Sequence, residues 1–283
     1  MHHANYLRRR CCRLITLKTQ RMWQWRWDVG TKSKPKLRKK SAHPWKTSSA
    51  QVQQSQYQQL RNSVFVIRID NDTTDADDVA IEKMVAKMQE FPWPIYKIKV
   101  GMPNDVEVLT ELRKHTNAIF RVDANAGWTL EEALEKIPIL KTLGVEFVEQ
   151  PLAKDAWDDM KVLKEKSSLL LIADESCVVE SDVEKCVNHF DGINIKLTKC
   201  SGITPARRMI TKAKELNLKV MIGCMNESSV GTAAIAQLAP LLDYVDMDGP
   251  LLLNEDIADG VTFNQGKICY NDFVGLGIKL KQY

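Results

Sequence analysis

Three short apolar runs in this 283-residue chain each end in a carboxylate: Phe120-Arg121-Val122-Asp123, Val145-Glu146-Phe147-Val148-Glu149 and Leu169-Leu170-Leu171-Ile172-Ala173-Asp174. Carboxylates gathered at one spot repel one another unless a cation sits among them. A hard divalent ion meets that need with oxygen ligands, so Asp123, Glu149 and Asp174 are expected to hold one Mg2+ with positions left open for substrate oxygens. Lysines flank them. In Lys97-Ile98-Lys99 the alternation of a strand puts Lys97 and Lys99 on one face. Mutual repulsion and partial burial should lower their pKa values from about 10.4 toward the range of a general base. Lys196 closes the run Ile193-Asn194-Ile195-Lys196, where an unpaired ammonium is costly to bury and so needs a functional reason. Lys199 reads as part of the loop that follows. A metal between two lysines suits removal of a proton beside a carboxylate. The metal holds both carboxylate oxygens and steadies an enediolate, one lysine takes the α-proton, and the other returns one to the opposite face.

A further pair of acids lies later in the chain. Asp246-Met247-Asp248 places two carboxylates on one face, a site for a cation other than the metal, such as a substrate ammonium. The competing interpretation is a pair of strand-end acids that only cap loops. Glu227 is expected to line the same mouth, with no role assigned by its sequence context.

These residues need a frame that brings strand ends together. From Val64 onward, strands alternate with helices. Strands are expected at 64–69, 95–100, 118–122, 147–149, 169–173, 192–196, 219–222 and 244–247. Helices are expected at 75–90, 105–115, 129–143, 156–166, 181–189, 204–216 and 229–238. Thr129, with Glu132 three residues on, forms a capping box. The strand-end residues Lys99, Asp123, Glu149, Asp174, Lys196, Ile222 and Asp246 follow one another at intervals of 22–26 residues. That period and eight strands fit a (β/α) barrel better than a doubly wound sheet, and no G-x-G-x-x-G follows any strand. In a barrel, polar residues at the C-terminal ends of strands converge on one mouth. Residues 64–250 are therefore read as the barrel, and 251–283 as a C-terminal segment with a short β-rich pattern beyond the last barrel strand.

The net charge of +4 conceals a division: residues 1–60 hold 14 Lys and Arg against the single acid Asp28, whereas the remainder is acidic. Such a head can be a nucleic-acid arm, a targeting segment or residues outside the fold. Arg8-Arg9-Arg10 and the Trp23/Trp25/Trp27 alternation are framed by no nucleic-acid-binding module, so residues 1–63 read as a poorly ordered or poorly packed basic head. No apolar run reaches the roughly 18 residues of a membrane span, and no signal-peptide core is visible. Seven cysteines without a C-x-x-C pair suit a reducing, cytoplasmic setting.

Taken together, Lys97-Ile98-Lys99, Asp123-Ala124-Asn125, Glu149-Gln150-Pro151, Asp174-Glu175-Ser176, Asn194-Ile195-Lys196-Leu197 and Gly223-Cys224-Met225-Asn226-Glu227-Ser228 resemble the muconate-lactonising subgroup of the enolase superfamily, and within it the dipeptide epimerases. The resemblance covers residues 64–283. It implies a modified TIM barrel of (β/α)7β type, one Mg2+ on Asp123, Glu149 and Asp174, and Lys99 and Lys196 as the acid/base pair. Lys97, Asn125 and Glu227 would support them. It also implies that Asp246 and Asp248 hold the free α-ammonium of a dipeptide, which favours epimerisation over cycloisomerase, o-succinylbenzoate synthase or N-acylamino acid racemase activity. Members of that family carry an α+β capping domain before the barrel, where only 63 residues precede Val64 in this chain. The expectation is an atypical or truncated cap formed by the termini. With it come exposed apolar surface open to homo-oligomer formation, and a rival identity as an impaired barrel with a basic arm.

Overall fold

The computed structural model of the chain describes residues 67–69, 78–90 and 92–282. The basic head expected over residues 1–63 lies outside the described residues, as does the start of the first strand. Strands and helices then alternate as β1 (Ile67–Ile69), α1 (Asp78–Glu90), β2 (Ile95–Lys99), α2 (Asp105–Arg113), β3 (Ile119–Asp123), α3 (Leu130–Thr142), β4 (Val145–Glu149), α4 (Trp157–Lys166) and β5 (Leu170–Ala173). A 3₁₀ helix at Glu180–Cys186 leads to β6 (Gly192–Ile195), followed by α5 (Ile203–Glu215), β7 (Lys219–Ile222), α6 (Ser229–Leu238) and β8 (Tyr244–Val245). The strands form one parallel eight-stranded sheet in sequence order, the order of a (β/α)7β barrel.

Strand parity divides the side chains into two sets. Ile98, Val122, Val148, Leu171, Ile193, Val220 and Val245 belong to the large core built with the helices. Phe147, Ile172, Met221 and Tyr244 form a separate small cluster of the opposite parity. Arg121 shares that parity, and its guanidinium lies 5.2 Å from the Phe147 ring and 4.9 Å from the Tyr244 ring. Two residues further along each strand, the same parity gives Asp123, Glu149, Asp174, Gly223 and Asp246. The inner surface is thus aromatic and aliphatic below and ionisable at the C-terminal ends. Ile222, the one apolar member of the 25-residue series, has outward parity; Gly223 holds the inner position on β7.

Two sequence expectations change. The helix expected over 181–189 is the 3₁₀ helix instead, and its buried residues, Val183 and Cys186, are three apart, which is the 3₁₀ repeat. Its start is fixed by Asp182, whose carboxylate accepts the Val178 and Val179 N–H groups at 3.2 and 3.1 Å. The last barrel strand is shorter than 244–247, although the Asp246 N–H still donates to the Ile222 carbonyl at 2.9 Å. The Thr129–Glu132 capping box is present as expected, with Glu132 N–H donating to Thr129 Oγ1 and Thr129 N–H to Glu132 Oε2.

Beyond β8, a 3₁₀ turn (Gly249–Leu252) precedes β9 (Ala258–Asp259), β10 (Thr262–Asn264), β11 (Lys267–Cys269) and β12 (Lys279–Leu280). Gln265-Gly266 joins β10 to antiparallel β11 with positive φ at both residues (46° and 75°), as a tight two-residue hairpin requires. This segment is tied to α6. The Tyr270 hydroxyl donates to the Ala236 carbonyl at 2.7 Å, and Asp256 accepts the Ser229 N–H at 2.7 Å.

Candidate active site

The strand ends are set by register and by unusual backbone. Asp123 pairs with Lys99 on one side and Glu149 on the other. Just past these strands, Asn125, Ala126 and Gln150 have φ of 44°, 62° and 37°. Left-handed backbone is costly for non-glycine residues and persists where the surroundings over-determine it. Gln150 shows what does so. Its Oε1 accepts the N–H of Asp174 (3.0 Å) and of Ser176 (3.1 Å), and its Nε2 donates to Ser176 Oγ (2.8 Å) and the Leu152 carbonyl (2.9 Å). One buried amide therefore ties the end of β4 to the loop that presents Asp174.

All three predicted metal ligands are fully buried. Lys97 Nζ lies 3.0 Å from Asp123 Oδ2, 2.8 Å from Glu149 Oε2 and 3.5 Å from Asp246 Oδ2. Lys99 pairs with Asp123 and donates to Asn125 Oδ1. Asp174 is held by Lys196 through one oxygen and by Lys199 at 2.9 Å through the other. Glu149 Oε1 accepts from Asn194 Nδ2 at 2.8 Å. A Cβ on Gly223 would stand 2.7 Å from that same Asn194 amide, so the glycine makes room for it.

The charges explain the proton affinities. Burial pushes Asp123 up, but Lys97 and Lys99 outweigh it and hold its carboxyl well below the usual range. Glu149 is raised by burial and by Asp123, against the pull of Lys97. Asp246 is raised by burial and by Asp248. The lowered pKa expected for Lys97 is reversed: burial alone would lower it, yet Asp123, Glu149 and Asp246 together raise it well above the ordinary value. Lys196 is likewise raised, with Asp174 and Glu149 outweighing its burial. The sequence argument set Lys97 and Lys99 against each other and left out the carboxylates of the neighbouring strands and of Asp246 that surround Lys97.

The structure thus brings Lys97, Lys99, Asp123, Glu149, Asn125 and Asp246 into one network, and sets Asp174 with Lys196 and Lys199 beside it. Lys199, read as a loop residue, belongs to the site: its N–H donates to the Lys196 carbonyl at 3.0 Å, and that turn returns its side chain to Asp174. The three-residue spacing of Lys196 and Lys199 was the available signal. Asp248 accepts a hydrogen bond from the Cys224 thiol at 3.0 Å, a partner the sequence did not single out. Glu227 is buried, and burial raises its carboxyl against the lowering effect of the Met225 and Glu227 backbone amides, with Lys196 and Asp248 acting on it in opposite senses. A Cβ on Gly231 would stand 2.7 Å from Glu227 Cγ. Among the described residues, the one group of three metal-capable side chains with ligand atoms all within 4.8 Å of each other is Cys224, Asp246 and Asp248. Asp123, Glu149 and Asp174 are spread further apart, each around an ammonium.

A parallel eight-stranded sheet whose C-terminal strand ends carry acids and lysines is matched, over residues 80–283, by the enolase C-terminal domain-like family, and the chain belongs to that family. Within it, the chain is similar to the L-Ala-D/L-amino acid epimerase of Flavobacterium johnsoniae, 58% identical over 201 residues, or 71% of this chain and 60% of that protein. Its structure is similar to a substrate-liganded complex of the L-Ala-D/L-Glu epimerase from Bacillus subtilis, with a TM-score of 0.70 and 29% identity over 78% of this chain and 66% of that one. It is also similar to a dipeptide epimerase from Cytophaga hutchinsonii complexed with Mg and the dipeptide D-Ala-L-Val, with a TM-score of 0.71 and 26% identity over 80% of this chain and 65% of that one. The chain spans 60% of the length of the curated relatives it matches at 58% and 60% identity.

Proposed function

We propose that the chain epimerises a dipeptide by moving a proton off and back onto the carbon next to the carboxylate. The observation that supports this best is the placement of Lys99 and Lys196 at opposite ends of the acid row, one ammonium on Asp123 and the other on Asp174. Two bases facing one centre from two sides are what inversion at carbon demands. Asp123, Glu149 and Asp174 fit a hard cation, being buried oxygen donors at the ends of three consecutive strands, and they would hold Mg2+ in place of the ammonium groups that now lie on them. Bound there, Mg2+ would draw charge from the substrate carboxylate and make the adjacent C–H more acidic. Lys97 keeps Asp123 and Glu149 aligned, and Asn125 positions Lys99. Asp246 and Asp248 would accept the substrate ammonium, which suits a dipeptide with a free amino end. The thiols Cys177, Cys186, Cys200, Cys224 and Cys269 are unpaired, which supports a reducing, cytoplasmic setting. Among the described residues no helix is long and apolar enough to cross a membrane.

The test follows Cα–H exchange in D2O with Mg2+ and the two epimers of an Ala-Glu dipeptide. Lys99→Ala and Lys196→Ala should each lose epimerisation by about 10²–10⁴-fold while each retains exchange on a different epimer. Exchange of both epimers persisting in either variant would remove the lysines from their roles.

A further inference from the structure

The two acids that follow β5 face different neighbours. Asp174 holds Lys196 and Lys199. Glu175, the next residue, has no part in the proposed chemistry, yet it reaches the loop after β3, where its Oε1 accepts from Asn125 Nδ2 at 3.3 Å. Asn125 Oδ1 in turn accepts from Lys99. A line of side chains thus runs Glu175–Asn125–Lys99, from the end of β5 past β4 and β3 to the end of β2.

Which end of the Asn125 amide meets Lys99 has to be enforced. An ammonium has donors and no acceptor, so only the amide oxygen can serve it. Asn125 is exposed, and water can pair with either end of its amide. Glu175 removes that freedom, because a carboxylate only accepts; it takes the NH2 end and leaves the oxygen for Lys99. The backbone at both ends of the link is fixed. The Asn125 N–H donates to Asp123 Oδ1 at 3.1 Å, and the Asp174 and Ser176 N–H groups on either side of Glu175 both donate to Gln150 Oε1. Glu175 Oε2 is buried and has no hydrogen-bond partner among the described residues. Such an atom costs stability, so the fold alone does not account for a carboxylate at this position.

We propose that Glu175 is a positioning residue for Lys99 alone, acting through the Asn125 amide. With Lys99 as the neutral amine, an N–H held by the Asn125 oxygen fixes the direction of the lone pair that takes the substrate proton. Lys196 is held separately, through Asp174. Two adjacent residues would thus serve opposite faces of the reacting carbon. This assignment rests on the proposed epimerisation, in which Lys99 and Lys196 work from opposite sides. A role of Glu175 in folding would harm both faces, whereas the link through Asn125 harms one.

The experiment follows Cα–H exchange of each Ala-Glu epimer in D2O with saturating Mg2+, using the full-length chain. Glu175→Leu should slow exchange about 3–10-fold on the epimer that Lys99→Ala also slows, with the other epimer unaffected. Glu175→Gln, which keeps an acceptor for the amide, should restore the wild-type ratio of the two rates. In an Asn125→Ala background, Glu175→Leu should add nothing, because its path to Lys99 is gone. A second readout needs neither substrate nor Mg2+. Acetylation of the metal-free chain by acetic anhydride, followed at each lysine by peptide mass mapping, should quicken about 3–10-fold at Lys99 in Glu175→Leu and not at Lys196. Circular dichroism checks each fold, and Glu175→Ala takes the place of Glu175→Leu if that variant does not fold. Equal loss on both epimers, loss on the epimer served by Lys196, full additivity with Asn125→Ala, or unchanged acetylation of Lys99 would each overturn the proposal. Absence of exchange in the wild-type chain would instead refute the epimerisation, and acetylation of Lys99 would then decide the link by itself.

Discussion

Replacing Gln150 with leucine should damage fold and site together, by an amount that can be worked from four hydrogen bonds. Its side chain is wholly buried; it accepts from the Asp174 and Ser176 N–H groups and donates to Ser176 Oγ and the Leu152 carbonyl. Ser176 Oγ keeps a bond to the Lys154 carbonyl at 2.9 Å, so the groups left stranded are two backbone N–H groups and one carbonyl. A buried group without a partner costs about 1–3 kcal/mol. The two N–H groups alone therefore put the loss near 4 kcal/mol, partly offset by the added apolar surface. Ser176→Ala breaks only the serine's own bonds and should cost about 1 kcal/mol. Urea unfolding should show the midpoint falling in that order with an unchanged slope. Because Gln150 fixes the loop that presents Asp174, Mg2+ affinity by calorimetry should fall about 10–100-fold in Gln150→Leu. A stability loss under about 1 kcal/mol, or a full loss with Mg2+ affinity untouched, would refute the link between this amide and Asp174.

Gly223→Ala should displace the Asn194 amide, which a Cβ would approach to 2.7 Å, and so free Glu149 Oε1; Mg2+ affinity should drop about tenfold with little change in far-ultraviolet circular dichroism. Unchanged affinity would show that Asn194 can move without consequence. Asp256 caps α6 from the tail, and the Ser229, Ala258 and Ile257 amides hold its carboxyl below the usual range despite the opposing effect of burial. Asp256→Ala should cost about 1 kcal/mol at neutral pH. Since the folded pKa lies below the unfolded one, about 3.9, that cost should be constant above pH about 5 and vanish as pH falls through the folded value. A cost that grows on acidification in denaturant titrations would contradict the cap.

The strand–helix alternation was legible because burial imposes period 2 on strands and about 3.6 on helices. The capping box at Thr129 and Glu132 could be read for a similar local reason. The segment over 181–189 was misread because Val183 and Cys186 alone do not distinguish a 3₁₀ turn from an α-helix.

Apart from β7, where Gly223 and not Ile222 is inward, the sequence by itself determined which residues stand on the inner face at the strand ends. Parity and a 25-residue spacing are properties of the chain, so Lys99, Asp123, Glu149, Asp174, Lys196 and Asp246 could be named before any fold was known. Only the tertiary structure decided how they pair. Lys97 meets Asp246 because the sheet curls until β2 and β8 share a mouth, and no local pattern records that curvature. The direction of the shifts at Lys97 and Lys196 followed from those pairings, since an ammonium's proton affinity depends on every charge within a few ångströms, whatever its distance along the chain. The same is true of Cys224, whose sequence context marks it only as two residues past a strand, and whose neighbours Asp246 and Asp248 follow the next strand.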